Sequence, residues 1–161
     1  MRSRSLLLLA ALVGFTTSCE DDDVVAEYRA TLSGSAERPN AVTTSGTGEF
    51  VARLNEDNVL TYTVTWSNLN ANTILGHIHG PATVDQAVGV LVDFNAVSSG
   101  RTITLGATSG TATGTVDLNV DVTGTITGAE FIDLLNTGMT YVNIHSSAHT
   151  AGEIRGQITR Q

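Results

Sequence analysis

Lysine is missing from this chain, and cysteine occurs once, at Cys19. Proline is limited to 2 residues and tryptophan to 1. With no lysine, 16 acidic residues face 8 arginines, and the formal net charge is −8. That balance excludes a nucleic-acid partner and electrostatic adsorption on anionic lipid. A lone cysteine excludes an intramolecular disulfide and leaves lipidation, intermolecular pairing or a free thiol. Apolar runs are short everywhere except Leu6 to Phe15, and that one is too short for a permanent membrane span. Enzyme signatures are missing as well. There is no G-x-S-x-G, no H-E-x-x-H and no phosphate-cradling glycine loop, and nothing places two acids together for hydrolysis. No catalytic residue is assigned.

The chain starts with a basic M-R-S-R-S, continues into the apolar Leu6–Phe15 stretch and stops at T-T-S. Residues 1–18 therefore read as an export signal. Cys19 follows directly. Its position resembles the lipobox of bacterial lipoproteins, where a small residue precedes a cysteine that is acylated and becomes the mature N-terminus. Ser18 and Thr17 suit that pattern, whereas Thr16 stands where an aliphatic residue is usual. Cys19 is the expected lipidation site; the alternative is ordinary cleavage nearby with an incidental thiol. Residues 19–26, with E-D-D-D inside them, read as a solvated acidic tether. Cleavage before Cys19 removes Arg2 and Arg4, so the formal charge moves from −8 to −10. The expected location is the bacterial cell envelope, outside the cytoplasm, with the membrane reached through the lipid anchor.

Abundant Gly and Thr with short apolar runs predict strands rather than helices. Val25 to Ser33 reads as a first strand, followed by a polar loop around Pro39. Gly48 to Leu54 alternates, with Phe50, Ala52 and Leu54 on one face. Leu60 to Trp66 has the clearest period of two: Leu60, Tyr62, Val64 and Trp66 against Thr61, Thr63 and Thr65. Further strands are expected at Ile74–His79, Val88–Phe94, Arg101–Leu105 and Gly114–Leu118, with Val120–Ile126 extending the last or standing alone. One short helix stands out: Thr127 and Glu130 fit a capping box, Phe131, Leu134 and Leu135 share a face, and Gly138 ends it. Met139–His145 and Glu153–Thr159 close the sheet as a hairpin-like pair. The predicted class is all-β, an antiparallel Greek-key-like sandwich or flattened barrel with one short helix. Residues 27–161 form one domain without an internal boundary.

All 4 histidines lie in two segments, His77 and His79 in I-L-G-H-I-H-G-P, His145 and His149 in Y-V-N-I-H-S-S-A-H-T. Residues two apart on a strand share a face, about 6.6 Å apart. If the aliphatic sets face the core and the strands are neighbours, one outer face carries His77, His79, Asn143, His145, Arg155 and Glu153. The loops Gly80–Ala87 and Ser146–Gly152 flank it and are placed to cover it. His77, His79 and His145 form a candidate site for copper or zinc, since neutral imidazole suits both. The competing reading is a loop-fixing hydrogen-bond network, with Asn143, Glu153 and Arg155 as anchors around the site and Glu153 and Arg155 as an ion pair worth little at a surface. His149, in a loop, reads as solvated.

The pieces A-T-L-S-G-S-A-E-R-P-N-A-V, L-T-Y-T-V-T-W, G-H-I-H-G-P-A, Y-V-N-I-H-S and G-E-I-R-G-Q-I resemble the CHRD domain, a module repeated in the extracellular protein chordin and found singly in many bacterial exported proteins. The resemblance spans roughly Glu27 to Gln161 and implies an all-β extracytoplasmic domain. A weaker likeness is to copper/zinc superoxide dismutase, which also has a His-x-His strand and a late-strand copper ligand to which His145 would correspond. Nothing between Pro81 and Val142 supplies the bridging histidine, a second zinc-ligand histidine or the disulfide of that family. What remains is a copper-only site at most. The expected function is a lipid-anchored binding or structural module of the envelope, its partner an unidentified envelope protein or ligand. The alternative is a copper-binding domain using His77, His79 and His145.

Overall fold

The computed structural model describes residues 23–96, 100–120, 122 and 126–161. The export signal, Cys19 and most of the acidic tether lie outside the described residues. Strand β1 (Val24–Ser33) already includes the last three tether positions.

A single-turn 3-10 helix at Gly34–Ala36 follows, then β2 (Thr47–Asn55), β3 (Val59–Ser67), β4 (Thr73–His79) and β5 (Val90–Asp93). Next come β6 (Thr102–Ile103), β7 (Gly110–Asp117), helix α1 (Gly128–Asn136), β8 (Tyr141–Ser146), β9 (Ile154–Gln157) and β10 (Thr159–Arg160). The strands make one antiparallel sheet in the order β5-β4-β8-β9-β1-β2-β3-β7-β6, with β10 also pairing β1. β1, β2 and β3 are sequential neighbours, while β9 returns from far along the chain to lie beside β1, which gives the Greek-key-like character. The sheet curls until its two ends approach. Past β6, Gly106 N–H donates to Thr73 O at 3.0 Å, and Thr73 N–H donates to Ala107 O at 2.8 Å. The fold is a curled half-barrel rather than two separate sheets.

The alternation read in β2 and β3 is obeyed. Phe50, Ala52, Leu54, Leu60, Tyr62, Val64 and Trp66 are buried, and the intervening Thr61, Thr63 and Thr65 are exposed. They pack with Tyr28, Leu32, Ile78, Phe94, Val142, Ile144, Ile154 and Ile158 into one core. Trp66 finds a partner for its indole N–H in Thr73 Oγ1 at 2.9 Å, as a buried indole requires. Helix α1 has the expected capping box, both halves present between Thr127 and Glu130. It drives Phe131 and Leu135 into the core, with Leu134 partly buried against it. The chain then leaves the helix through Gly138, whose φ of +68° is cheap only for glycine.

The differences from expectation lie at the sheet's ends. β6 keeps only Thr102–Ile103, because Gly106 at φ +73° turns the chain out and leaves Leu105 exposed. β7 runs Gly110–Asp117, starting before the expected Gly114. β5 is shorter than Val88–Phe94, and Val90 points to solvent. Of the possible strand Val120–Ile126, residues 121 and 123–125 lie outside the described residues.

Candidate metal centre

The register of β4, β8 and β9 builds the site. His77 stands opposite Asn143, His79 opposite Tyr141, and Leu75 opposite His145; Asn143 in turn stands opposite Arg155. Asp93 of β5 lies opposite His77 on the other side. Because the pleat alternates, Ile78, Val142, Ile144 and Ile154 go to the core, and the polar set shares the opposite face.

That face is not wet. His77 is 8% exposed, His79 7%, His145 7%, Asn143 3% and Arg155 1%. The segment after β4 covers it: Val88 O accepts from His79 Nδ1 at 2.9 Å. Gln86 O and Thr83 O accept from Arg155 at 2.7 and 3.1 Å. The segment after β8 supplies Thr150 O, which accepts from His145 Nδ1 at 3.0 Å. Tyr141 lies between, its ring stacked on His79 at 4.7 Å and 6°, with the Arg155 guanidinium 3.5 Å over its other side.

The carbonyl contacts decide which ring nitrogens are available. A carbonyl oxygen only accepts, so His79 and His145 carry their protons on Nδ1 and turn the Nε2 lone pair inward. His77 Nδ1 lies 3.0 Å from His145 Nε2, and His77 Nε2 lies 3.6 Å from Asp93 Oδ1. One ring nitrogen of each histidine falls within 4.8 Å of the others. Burial holds all three imidazoles below their usual range, His77 furthest, at about 4, with the neighbouring His145 and His79 adding to the effect. At neutral pH the rings are uncharged, the form a metal needs. The geometry and the protonation state both suit a cation.

Glu153 is placed elsewhere. It is fully buried, but its carboxylate accepts from Thr44 Oγ1 and the Asn70 N–H, both at 2.6 Å. It makes no ion pair with Arg155, because it precedes β9 and turns toward the loops at the strand end. His149 is half-buried and joins the same corner, 3.3 Å from Asn70 Nδ2.

Sequence reasoning missed Glu37. It lies in the polar loop after β1, yet is 3% exposed, with no hydrogen-bond partner for Oε1. Burial pushes its carboxyl up to about 7, against the pull of Arg155, the Arg38 backbone N–H and the Asn143 amide. A Cβ on Gly152 would lie 2.6, 2.7 and 2.8 Å from Glu37 Oε1, Asn143 Nδ2 and Glu37 Oε2. Glycine, at φ +132° there, is what lets the carboxylate reach the amide. Nothing periodic in the sequence marks an acid in such a loop.

A curled all-β domain with a histidine cluster roofed by its own loops is the class defined by fold and site. The family model of the CHRD domain matches residues 28–158, and the chain belongs to that family. The CHRD domain marks it as a module of extracellular or secreted type. No curated protein and no solved structure matches it.

Proposed function

We propose that this CHRD domain is an exported metal-binding module in which His77, His79 and His145 hold one copper or zinc ion. The observation that carries this reading is the orientation of the rings: buried, uncharged, and pinned from outside by the Val88 and Thr150 carbonyls so that lone pairs face inward. Metal-ligating histidines are held in this way, by an acceptor on the far nitrogen. Among the described residues no fourth histidine stands beside the cluster, so a binuclear dismutase-type centre is not built. The test is metal analysis and thermal unfolding of the exported protein. Stoichiometric copper or zinc, a melting temperature raised by the metal and lost in His145→Ala, is the expected result. All three rings are held below the usual imidazole value of about 6.5, so affinity should persist below that pH and fall as the rings take up protons. A metal-free protein whose melting temperature ignores added copper and zinc would sink the reading. In that case the second reading stands: the same hydrogen bonds fasten two loops into a surface that binds an envelope protein or other ligand.

The start of the chain supports a place of action at the envelope. An export signal over residues 1–18, a lipidated Cys19 and an acidic tether would hold the domain at the envelope membrane. Several acyl chains anchor firmly where one does not. Cys19→Ala should move the domain from the membrane to the soluble fraction with its fold intact. A wild-type protein that already fractionates as soluble would rule out the anchor.

A further inference from the structure

The amide oxygen of Asn143 stands 3.1 Å from His79 Nε2. Nδ1 of the same ring donates to Val88 O, and a neutral imidazole has only one N–H. Nε2 therefore points a lone pair at an oxygen that also only accepts. Turning the amide over relieves this only while Glu37 is protonated. Its nitrogen lies beside the Glu37 carboxylate and favours the ionised form, and once that carboxyl is ionised a reversed amide would set Oδ1 against it. Two acceptors at hydrogen-bond distance call for a cation. A proton would make His79 an imidazolium, buried, with the Arg155 guanidinium just beyond the Tyr141 ring that stacks on it. A metal ion satisfies both lone pairs and is shared with His77 and His145, which a proton on His79 is not.

We infer that Asn143 Oδ1 is the fourth ligand of the centre, completing an N3O tetrahedron with His77 Nδ1, His79 Nε2 and His145 Nε2. The inference rests on the metal reading above. Bonds of about 2.0–2.1 Å place tetrahedral ligand atoms about 3.3–3.4 Å apart. The His77–His145 and His79–Asn143 separations are 3.0 and 3.1 Å, within a few tenths of that. The widest separation within the histidine set, up to 4.8 Å, closes as the ion enters. Asp93 beyond His77 and Glu37 beyond Asn143 set two carboxylates in the outer shell, which offsets a divalent charge. A tetrahedral nitrogen and oxygen set of this kind favours zinc over the tetragonal preference of Cu(II). With its four positions filled by the chain, the centre holds its ion and offers substrate no place.

Cobalt(II) is the probe, added to the whole exported protein, with azide as the competing ligand. The wild type should show tetrahedral cobalt absorption that azide leaves unchanged. Asn143→Ala should bind cobalt at least about tenfold more weakly and become azide-responsive, its fourth position now water. Asn143→Asp should restore affinity and azide resistance. A wild-type cobalt spectrum that already shifts with azide, or an Asn143→Ala protein of unchanged affinity and spectrum, overturns the assignment. If Asn143→Ala does not fold, the wild-type azide titration and Asn143→Asp still decide. If the wild type takes up neither cobalt nor zinc, the centre itself is absent, a result distinct from a three-histidine site open to azide.

Discussion

β3 and β8 are both interior strands of one sheet, and both alternate apolar with polar residues. In β3 the outward residues Thr61, Thr63 and Thr65 are exposed. In β8 the outward residues Tyr141, Asn143 and His145 are as buried as the core-facing Val142 and Ile144. The strand itself does not decide the difference. What lies over it does: among the described residues β3 has β2 and β7 beside it and an exposed outer face, while β8 is roofed by the chain after β4 and the chain after β8. Roofing a polar face costs free energy unless every donor and acceptor finds a partner. The outer face of β4, β8 and β9 is accordingly dense in hydrogen bonds to loop carbonyls.

The sharpest break of that comparison is an alanine at one outward position in each region. Arg155 donates to Gln86 O, Thr83 O and Gln157 Oε1 and stacks on Tyr141. Arg155→Ala should cost about 3–5 kcal/mol, since it strips partners from two carbonyls and removes the cation facing Glu37. Thr63→Ala should stay within about 0.5 kcal/mol, an exposed change away from any such feature. Denaturant midpoints measure both. Equal losses at the two positions would mean the roof does not distinguish the regions.

Much of this arrangement could be read before any coordinates. The period of two located the core-facing residues, and the H-x-H and N-x-H spacings put His77, His79, Asn143 and His145 on a common face. Whether that face was wet could not be read, because Tyr141–Ser146 and Leu60–Trp66 alternate alike. The roof depends on where the loop from Gly80 to Gly89 lies, and no periodicity governs a loop. Glu37 escaped for the same reason, an acid in a polar loop that reads as solvated until tertiary packing buries it. Glu153 shows the converse error. Placing it with Arg155 assumed that the strand geometry extends one residue beyond β9, where the side chain instead turns to Thr44 and Asn70.

Glu37 offers the finer test, since it is a carboxyl of the roofed region with no counterpart over β3. Its folded-state pKa of about 7 exceeds its ordinary 4.5, so between these values the folded protein binds more protons than the unfolded chain. Stability must then fall as pH rises through that window. The histidines act in the opposite sense. His77 is depressed from 6.5 to about 4, and His79 and His145 are lowered too. In that range the unfolded chain binds more protons, and stability rises with pH. Measured without metal, in chelator, the wild type should therefore gain stability with rising pH less steeply than the histidines alone dictate, and level off between pH 6.5 and 8. Glu37→Gln removes the opposing carboxyl. Relative to wild type it should gain about 2–3 kcal/mol on going from pH 4.5 to pH 8, which restores the steeper rise the histidines alone dictate. Parallel stability curves for the two proteins across that range would show that Glu37 titrates like a solvated acid, and that the roof over the outer face of β8 is looser than its hydrogen bonds imply.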